Sequence, residues 1–288
     1  MGFCLGVRRA FKSTMALARM LTPDRRKTYI LGDLVHNQQV VERVARAGIE
    51  RAEPDAALSG ARVILRTHGE TYATVSRLIN AGNEVVDLTC SVVKAVREKA
   101  AQLQQRHPAV LVVGKKDHPE VAGLVSYLRN PRVLTEPSEA AGLPAYSSVG
   151  VVAQTTLGRE HYEQVLQALR LRFGSSNVEA LDTICPHTEE NQSASRELAR
   201  RCDIILVVGD THSSNSRRLL EVCREENPSS HFLSCADEVE PAWFPPFGDP
   251  GWELLRVGIT AGASTPDWTI QEIAARMRKL GGESAQRG

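Results

Sequence analysis

The sequence predicts an α/β fold of three similar lobes, each built on a small, mainly parallel sheet. Two observations carry that expectation. Short apolar strand candidates alternate with amphipathic helical stretches along all 288 residues, which is the rhythm of strand–helix–strand units. Three cysteines also sit in matching surroundings about one third of the chain apart: Cys4 in GFCLGVRRA, Cys90 in VVDLTCSVVKAV and Cys185 in ALDTICPHTEEN. The lobes read as 1–90, 91–184 and 185–280, with a small polar tail over 281–288 that is expected to fray.

In chain order, the strand candidates are ARVILRT, AVLVVG, VGVVAQTT, DIILVVG and LRVGITAG, each a short β-branched or aliphatic run closed by polar or glycine residues. Helical periodicity predicts helices over 37–47, 72–81, 91–106, 159–173, 189–201, 214–226 and 267–280. The segment PAWFPPFGDPGW over 241–252 can continue neither a helix nor a central strand, because its prolines lack the amide donor. It reads as a surface excursion that covers a surface or binds a partner.

Composition narrows the class. An apolar fraction of 42% supports well-filled cores, and 35 basic against 34 acidic residues give a net charge of +1 spread over the whole length. No polybasic arm points to nucleic acid or to an anionic membrane. There is no 18-residue apolar run and no apolar signal-peptide core, so a soluble cytoplasmic protein with reduced thiols is expected.

Of the six cysteines, Cys202, Cys223 and Cys235 read as packing residues: Cys223, for example, shares a helical apolar face with Leu219 and Leu220. The other three look like ligands of one metal cluster. Cys90 and Cys185 share Asp-x-x-Cys at a strand-to-helix turn, where helix amides favour a thiolate. Separations of 86 and 95 residues are too long for a zinc knuckle or a ferredoxin run. Only a folded multi-lobed core could bring them to one centre.

Polar residues collect after the strand candidates, in RTHGE, GKKDHPE, AQTT, GDTHSSNS and TAGASTP. In open parallel sheets those carboxyl ends form the ligand crevice. Pointed inward, His36, His68, His118, Thr155, Ser213, Ser214, Asn215 and Ser264 offer many hydrogen bonds and little fixed charge, which suits a small oxygenated anion such as a diphosphate. Taken singly, each has a structural reading: SSN is equally a helix N-cap, the His68 and His118 segments are equally turns, and Thr155 equally closes a strand.

With these motifs in view, the chain resembles the LytB/IspH family of 4-hydroxy-3-methylbut-2-enyl diphosphate reductases along nearly its whole length. GFCLGVRRA, LVHN, THG, DLTC, HPEVAG, QTT, DTIC, SSNSRRL and GITAGASTPDW carry the resemblance, in the family's order. It implies three α/β lobes around one central 4Fe-4S cluster, with Cys4, Cys90 and Cys185 as ligands and one iron left open. It implies Glu120 as proton donor, Thr155 as the residue near the substrate hydroxyl, and His36, His68, His118, Ser213, Ser214, Asn215 and Ser264 as diphosphate ligands. The implied reaction is reductive removal of the allylic hydroxyl of the substrate, giving isopentenyl and dimethylallyl diphosphates, the last step of the non-mevalonate isoprenoid route.

The chain departs from the family pattern at several places. Met1 directly precedes Gly2-Phe3-Cys4 where members carry a short apolar strand, so Cys4 is expected on a frayed terminus. Ser91, Asn191 and the pair Thr211-His212 stand where proline, arginine and Lys-Asn are usual. No nucleotide-binding or flavin signature occurs, so electrons are expected from a reduced ferredoxin or flavodoxin. Two other readings stay open at this point: a three-cysteine 4Fe-4S enzyme resembling quinolinate synthase, and a degenerate cluster-binding paralogue without turnover.

Overall fold

Apolar runs too uniform to alternate with polar residues become strands covered on both faces. In a computed structural model, which describes residues 2–20, 26–246 and 249–285, eleven strands among the described residues form three sheets, all of whose pairings are parallel, and β5 (Ala109–Val113), β7 (Val149–Ala153) and β9 (Ile204–Val208) are buried at every position. The first sheet contains β1 (Thr28–Leu31), β2 (Glu50–Ala52), β3 (Arg62–Leu65) and β4 (Glu84–Asp87) in the order β2-β1-β3-β4. The second contains β5 (Ala109–Val113), β6 (Pro131–Leu134), β7 (Val149–Ala153) and β8 (Val178–Ala180) in the order β6-β5-β7-β8. The third orders β9 (Ile204–Val208), β10 (Ser230–Leu233) and β11 (Val257–Ala261) as β10-β9-β11. One topology thus recurs: the first strand of each sheet pairs with both the second and the third. The α/β class and the small parallel sheets expected from the sequence are what is observed.

Nine α-helices connect or flank these strands: α1 (Leu5–Arg19), α2 (Gln38–Arg46), α3 (Tyr72–Asn80), α4 (Ser91–Arg106), α5 (Pro119–Val125), α6 (Arg159–Phe173), α7 (Pro186–Arg201), α8 (Ser214–Glu226) and α9 (Asp267–Ala285) among the described residues. Packing in the second sheet shows the logic. Val110 and Val112 of β5 meet Val96, Ala100 and Leu103 of α4 on one face, while Leu111 and Val113 meet Val165, Leu166 and Leu169 of α6 on the other. The period of two along the strand sends consecutive side chains to opposite helices, so every position must be apolar. The third sheet repeats this, with Ile204, Leu206 and Val208 toward Ile273 of α9 and Ile205 and Val207 toward Leu219 and Cys223 of α8.

The chain groups into two compact units. One holds Arg8–Val35 and Val41–Pro186, and with them the first two sheets; the other holds Met1–Val7, His36–Val40 and His187–Gly288, and with them the third.

One expectation is corrected and another given its detail inside the second of these units. Cys4 is tied in rather than frayed: its amide donates to the Ala263 carbonyl at 3.1 Å, and the buried Phe3 ring meets Trp268 edge-on with centroids 5.9 Å apart. Backbone pairing and an aromatic contact anchor this segment. The 241–252 segment lies at the surface, with Pro241, Ala242, Pro246 and Asp249 exposed, and covers part of the core of this unit. It forms two 3-10 turns, Pro241–Trp243 and Pro250–Glu253, and Phe244, only 7% exposed, joins the core over the third sheet. The Trp243 ring stacks on His231 at 4.2 Å and the Trp252 ring on Phe244 at 5.6 Å. Aromatic area is what holds this proline-rich stretch down; residues 247 and 248 within it lie outside the described residues. At the C-terminus, α9 runs to Ala285, into the segment expected to fray, of which residues 286–288 lie outside the described residues.

Candidate active site

A parallel sheet whose first strand pairs with both the second and the third opens a crevice beyond the carboxyl ends of the first and third strands, where their connections part to opposite faces. The sequence-predicted residues fall at these positions in each sheet. His68 follows β3, His118 and Glu120 follow β5, Thr155 follows β7, Ser213 to Asn215 follow β9 and Ser264 follows β11. Cys90 and Cys185 follow the edge strands β4 and β8.

In the unit holding the first two sheets, the centre is a buried carboxyl. Glu120 lies in the first turn of α5 and is 4% exposed; its Oε1 accepts the Thr155 backbone N–H at 2.7 Å and its Oε2 accepts the Thr155 hydroxyl at 2.8 Å. Burial pushes the Glu120 carboxyl above its ordinary range, and the two bonds from Thr155 pull only partly against it. His118 caps α5: its Nδ1 accepts the Glu120 amide at 3.2 Å, so in the neutral ring the proton sits on Nε2. The His118 and His68 rings meet edge-on, with centroids 5.5 Å apart. His68 is held between Arg66 and Glu70, whose buried ion pair closes at 2.7 Å. The next residue, Gly69, has φ +78°, and a Cβ there would overlap the Arg97 guanidinium. Only glycine satisfies both constraints.

In the other unit the centre is the N-terminus of α8. Ser213 is its cap, accepting the Ser216 amide at 3.3 Å, and Ser264 Oγ lies 3.4 Å from Ser213 Oγ and 3.3 Å from the His36 carbonyl. Ser214, half-buried, opens the helix. A Cβ on either Gly209 or Gly262 would overlap the Ser216 hydroxyl, so these glycines let α8 settle against the ends of β9 and β11. Asn215 is 6% exposed, and among the described residues neither its Oδ1 nor its Nδ2 has a hydrogen-bond partner. A buried amide with nothing to bond is costly unless a ligand completes it. The SSN run is therefore a cap, through Ser213, and leaves in Asn215 a buried amide without a hydrogen-bond partner among the described residues.

His36 belongs to the same unit because its neighbours are stitched there. The Gln38 amide donates to Asp210 at 3.0 Å, the Gln39 side chain donates to the Ser234 carbonyl at 3.2 Å, and Gln39 Oε1 accepts from Trp268 Nε1 at 3.0 Å and from the Thr269 hydroxyl. Asp210 and Gln39 were not among the expected site residues; Asp210 stands in the polar GDTHSSNS run after β9, whereas nothing local marks Gln39. Of the departures from the family pattern, Asn191 is absorbed by a bond to the Ala261 carbonyl at 3.0 Å, and His212 by bonds to Asp210 from its amide at 2.8 Å and its ring Nδ1 at 3.1 Å.

The three candidate ligand cysteines share one local arrangement. Each immediately precedes a helix, α1, α4 or α7, of 15 or 16 residues. The amide of each donates to the carbonyl two residues beyond a strand end: Cys4 to Ala263 after β11, Cys90 to Thr67 after β3, and Cys185 to Thr155 after β7, at 3.1, 3.0 and 2.9 Å. The thiol of Cys4 accepts the Val7 amide at 3.5 Å. None of the three forms a disulfide among the described residues. Soft donors beside helix amides are a donor set that fits an iron–sulfur centre.

A family model described as LytB protein matches residues 1–278. The chain belongs to the LytB family. This LytB-family chain is 38% identical to the 4-hydroxy-3-methylbut-2-enyl diphosphate reductase of Pelobacter propionicus over 97% of its own length and 95% of the relative's. It is 35% identical to the enzyme of the same name from Aquifex aeolicus, over 97% and 94%. Among solved structures it superposes on (E)-4-hydroxy-3-methyl-but-2-enyl diphosphate reductase, the terminal enzyme of the non-mevalonate pathway, with TM-score 0.71, 34% identity and 96% of each chain covered. The E-1-hydroxy-2-methyl-but-2-enyl-4-diphosphate reductase of Plasmodium falciparum shares the fold at TM-score 0.83 and 22% identity, over 95% of this chain and 84% of that one. These matches favour the reductase over the quinolinate-synthase-like reading. No described helix of this LytB-family chain is long and apolar enough to cross a membrane.

Proposed function

We propose that the chain reduces (E)-4-hydroxy-3-methylbut-2-enyl diphosphate to isopentenyl and dimethylallyl diphosphates in the cytoplasm, as the last step of the non-mevalonate pathway. Two electrons and two protons enter; the allylic C–O bond breaks, one proton leaves with the hydroxyl as water, and the other goes to carbon. A 4Fe-4S cluster held by Cys4, Cys90 and Cys185, with one iron open to the substrate hydroxyl, would supply the electrons and a Lewis acid. Reduced ferredoxin or flavodoxin is the proposed electron source.

The observation that carries the reading is the Glu120–Thr155 pair. Hydroxide is a poor leaving group near neutral pH, and a carboxyl whose hold on its proton is strengthened by burial is suited to turn it into water. Thr155 fixes both carboxyl oxygens, and its hydroxyl can swing from Glu120 to the substrate oxygen and relay the proton. Ser213, Ser214, Asn215 and Ser264, with the α8 amides, and the imidazoles of His36, His68 and His118 bind the diphosphate. Asn215, with both amide atoms buried and unsatisfied, supports that role most directly.

The test is anaerobic. The protein is reconstituted with iron and sulfide and given the substrate with dithionite and a viologen mediator. Formation of both five-carbon diphosphates, lost in Glu120→Gln, is the expected result. A bound cluster without turnover would identify a degenerate paralogue instead.

A further inference from the structure

Cys90 and Cys185 are each preceded, three residues earlier, by an aspartate that makes the same local bond. Asp87 Oδ1 accepts the Thr89 amide at 2.9 Å, and Asp182 Oδ1 accepts the Ile184 amide at 3.3 Å. Both are Asx turns, in which a side-chain oxygen two residues back stands in for a backbone acceptor. Each occurs beside a different sheet, at the last residue of the edge strand β4 for Asp87 and two residues past the edge strand β8 for Asp182, and delivers the next residue to a helix N-terminus.

Each carboxylate is also fixed by a cation from a helix. Lys94 of α4 reaches Asp87 at 2.7 Å, and Arg159 of α6 reaches Asp182 at 2.7 Å. The Asp182 backbone is pinned as well, since Lys99 donates to its carbonyl at 2.7 Å. The cysteine beyond each turn has one further backbone anchor, its bond to Thr67 or Thr155. Two bonds, one from the side chain three residues back and one from the neighbouring strand's extension, thus define where each thiol leaves the backbone. Cys4, whose third preceding position would be Met1, has no such aspartate; the Ala263 bond and the Val7 amide do that work.

We infer that Asp87 and Asp182 are positioning residues that present the Cys90 and Cys185 thiols at the N-termini of α4 and α7. They act through backbone geometry and touch no reacting group. The inference rests on the proposed ligand role of the cysteines, and its test is independent of turnover.

The experiment compares Asp87→Asn with Asp87→Ala in the full-length, cluster-free chain. It reads the iodoacetamide alkylation rate of each cysteine separately by peptide mass spectrometry, near neutral pH. Both variants remove the same charge, but asparagine keeps an oxygen acceptor for the Thr89 amide, so the difference between them isolates the turn. Losing one such bond should slow Cys90 about fivefold in the alanine variant relative to the asparagine variant, with Cys4 and Cys185 unchanged as internal measures of folding. Asp182→Asn and Asp182→Ala should give the reciprocal result at Cys185. Equal Cys90 rates in the two Asp87 variants, or a parallel change at all three cysteines, would overturn the assignment. If these rates follow the inference while the reconstituted protein fails to turn over substrate, the positioning role stands and the proposed reaction falls.

Discussion

Thr155 donates both its backbone N–H and its hydroxyl to one carboxyl group, that of Glu120, at 2.7 and 2.8 Å. A single residue therefore fixes the orientation of the buried acid, and the carbonyl of that residue also anchors the Cys185 amide. Candidate proton donor and candidate metal ligand are thus both tied to one residue, Thr155.

Glu120→Gln should cut turnover at least about a hundredfold, the scale of a lost general acid. Thr155→Val, which keeps shape and the backbone bond, should cost less, about tenfold in kcat. Anaerobic steady-state rates with thermal melts on the same samples check both, and a Glu120→Gln enzyme with unchanged kcat would remove the acid assignment.

The raised Glu120 carboxyl also predicts a stability profile. Its folded value lies above the ordinary 4.5, so between the two values the folded chain holds a proton that the unfolded chain has released. The stabilisation is complete below the unfolded value and is lost as pH rises through the folded one. Denaturant titrations across this window should show stability falling with pH in the wild type and a flatter profile in Glu120→Gln.

Asn215→Ala should separate binding from folding. Its amide atoms have no partner to lose, so the ligand-free protein should melt at or slightly above the wild-type temperature. Affinity for inorganic diphosphate should fall about tenfold or more, the usual loss for a hydrogen bond to a charged group. Calorimetry provides both numbers, and a destabilised variant with unchanged affinity would make Asn215 a structural residue.

Gly262→Ala should destabilise by about 1–3 kcal/mol, the cost of overpacking a filled site, because the new methyl meets the Ser216 hydroxyl. Adding Ser216→Ala removes the oxygen in the way and should recover part of that loss. The two substitutions would then be non-additive, as expected for contacting residues, and chemical denaturation of the four proteins measures it.

Local order made much of this legible in advance. The helices over 91–106, 159–173 and 214–226 lie where hydrophobic periodicity puts them, since an amphipathic face repeats within a few turns. The seven-residue α5 and the three-residue β2 and β8 are too short to carry a period. Asp-x-x-Cys was readable as a motif, but its bond to the next amide is a matter of coordinates. Gln39 left no trace, because its partner lies 195 residues away in the chain, and Asp210 showed only as part of the GDTHSSNS run, since its bond to Gln38 spans 172 residues. The 241–252 segment was legible as neither helix nor central strand, but the burial of Phe244 beside a 3-10 turn was not, because proline excludes helix and sheet without excluding burial.

The recurring cysteine-amide bond makes spacing unequally tolerant along the chain. Leu65 to Thr67, Ala153 to Thr155 and Ala261 to Ala263 are counted intervals, and one residue added or removed there would turn the accepting carbonyl to the opposite side and unhook the thiol. Length changes between α3 and β4, or between α6 and β8, leave those counts intact. Insertion scanning across the gene should accordingly find three narrow forbidden windows just past β3, β7 and β11, set among permissive stretches.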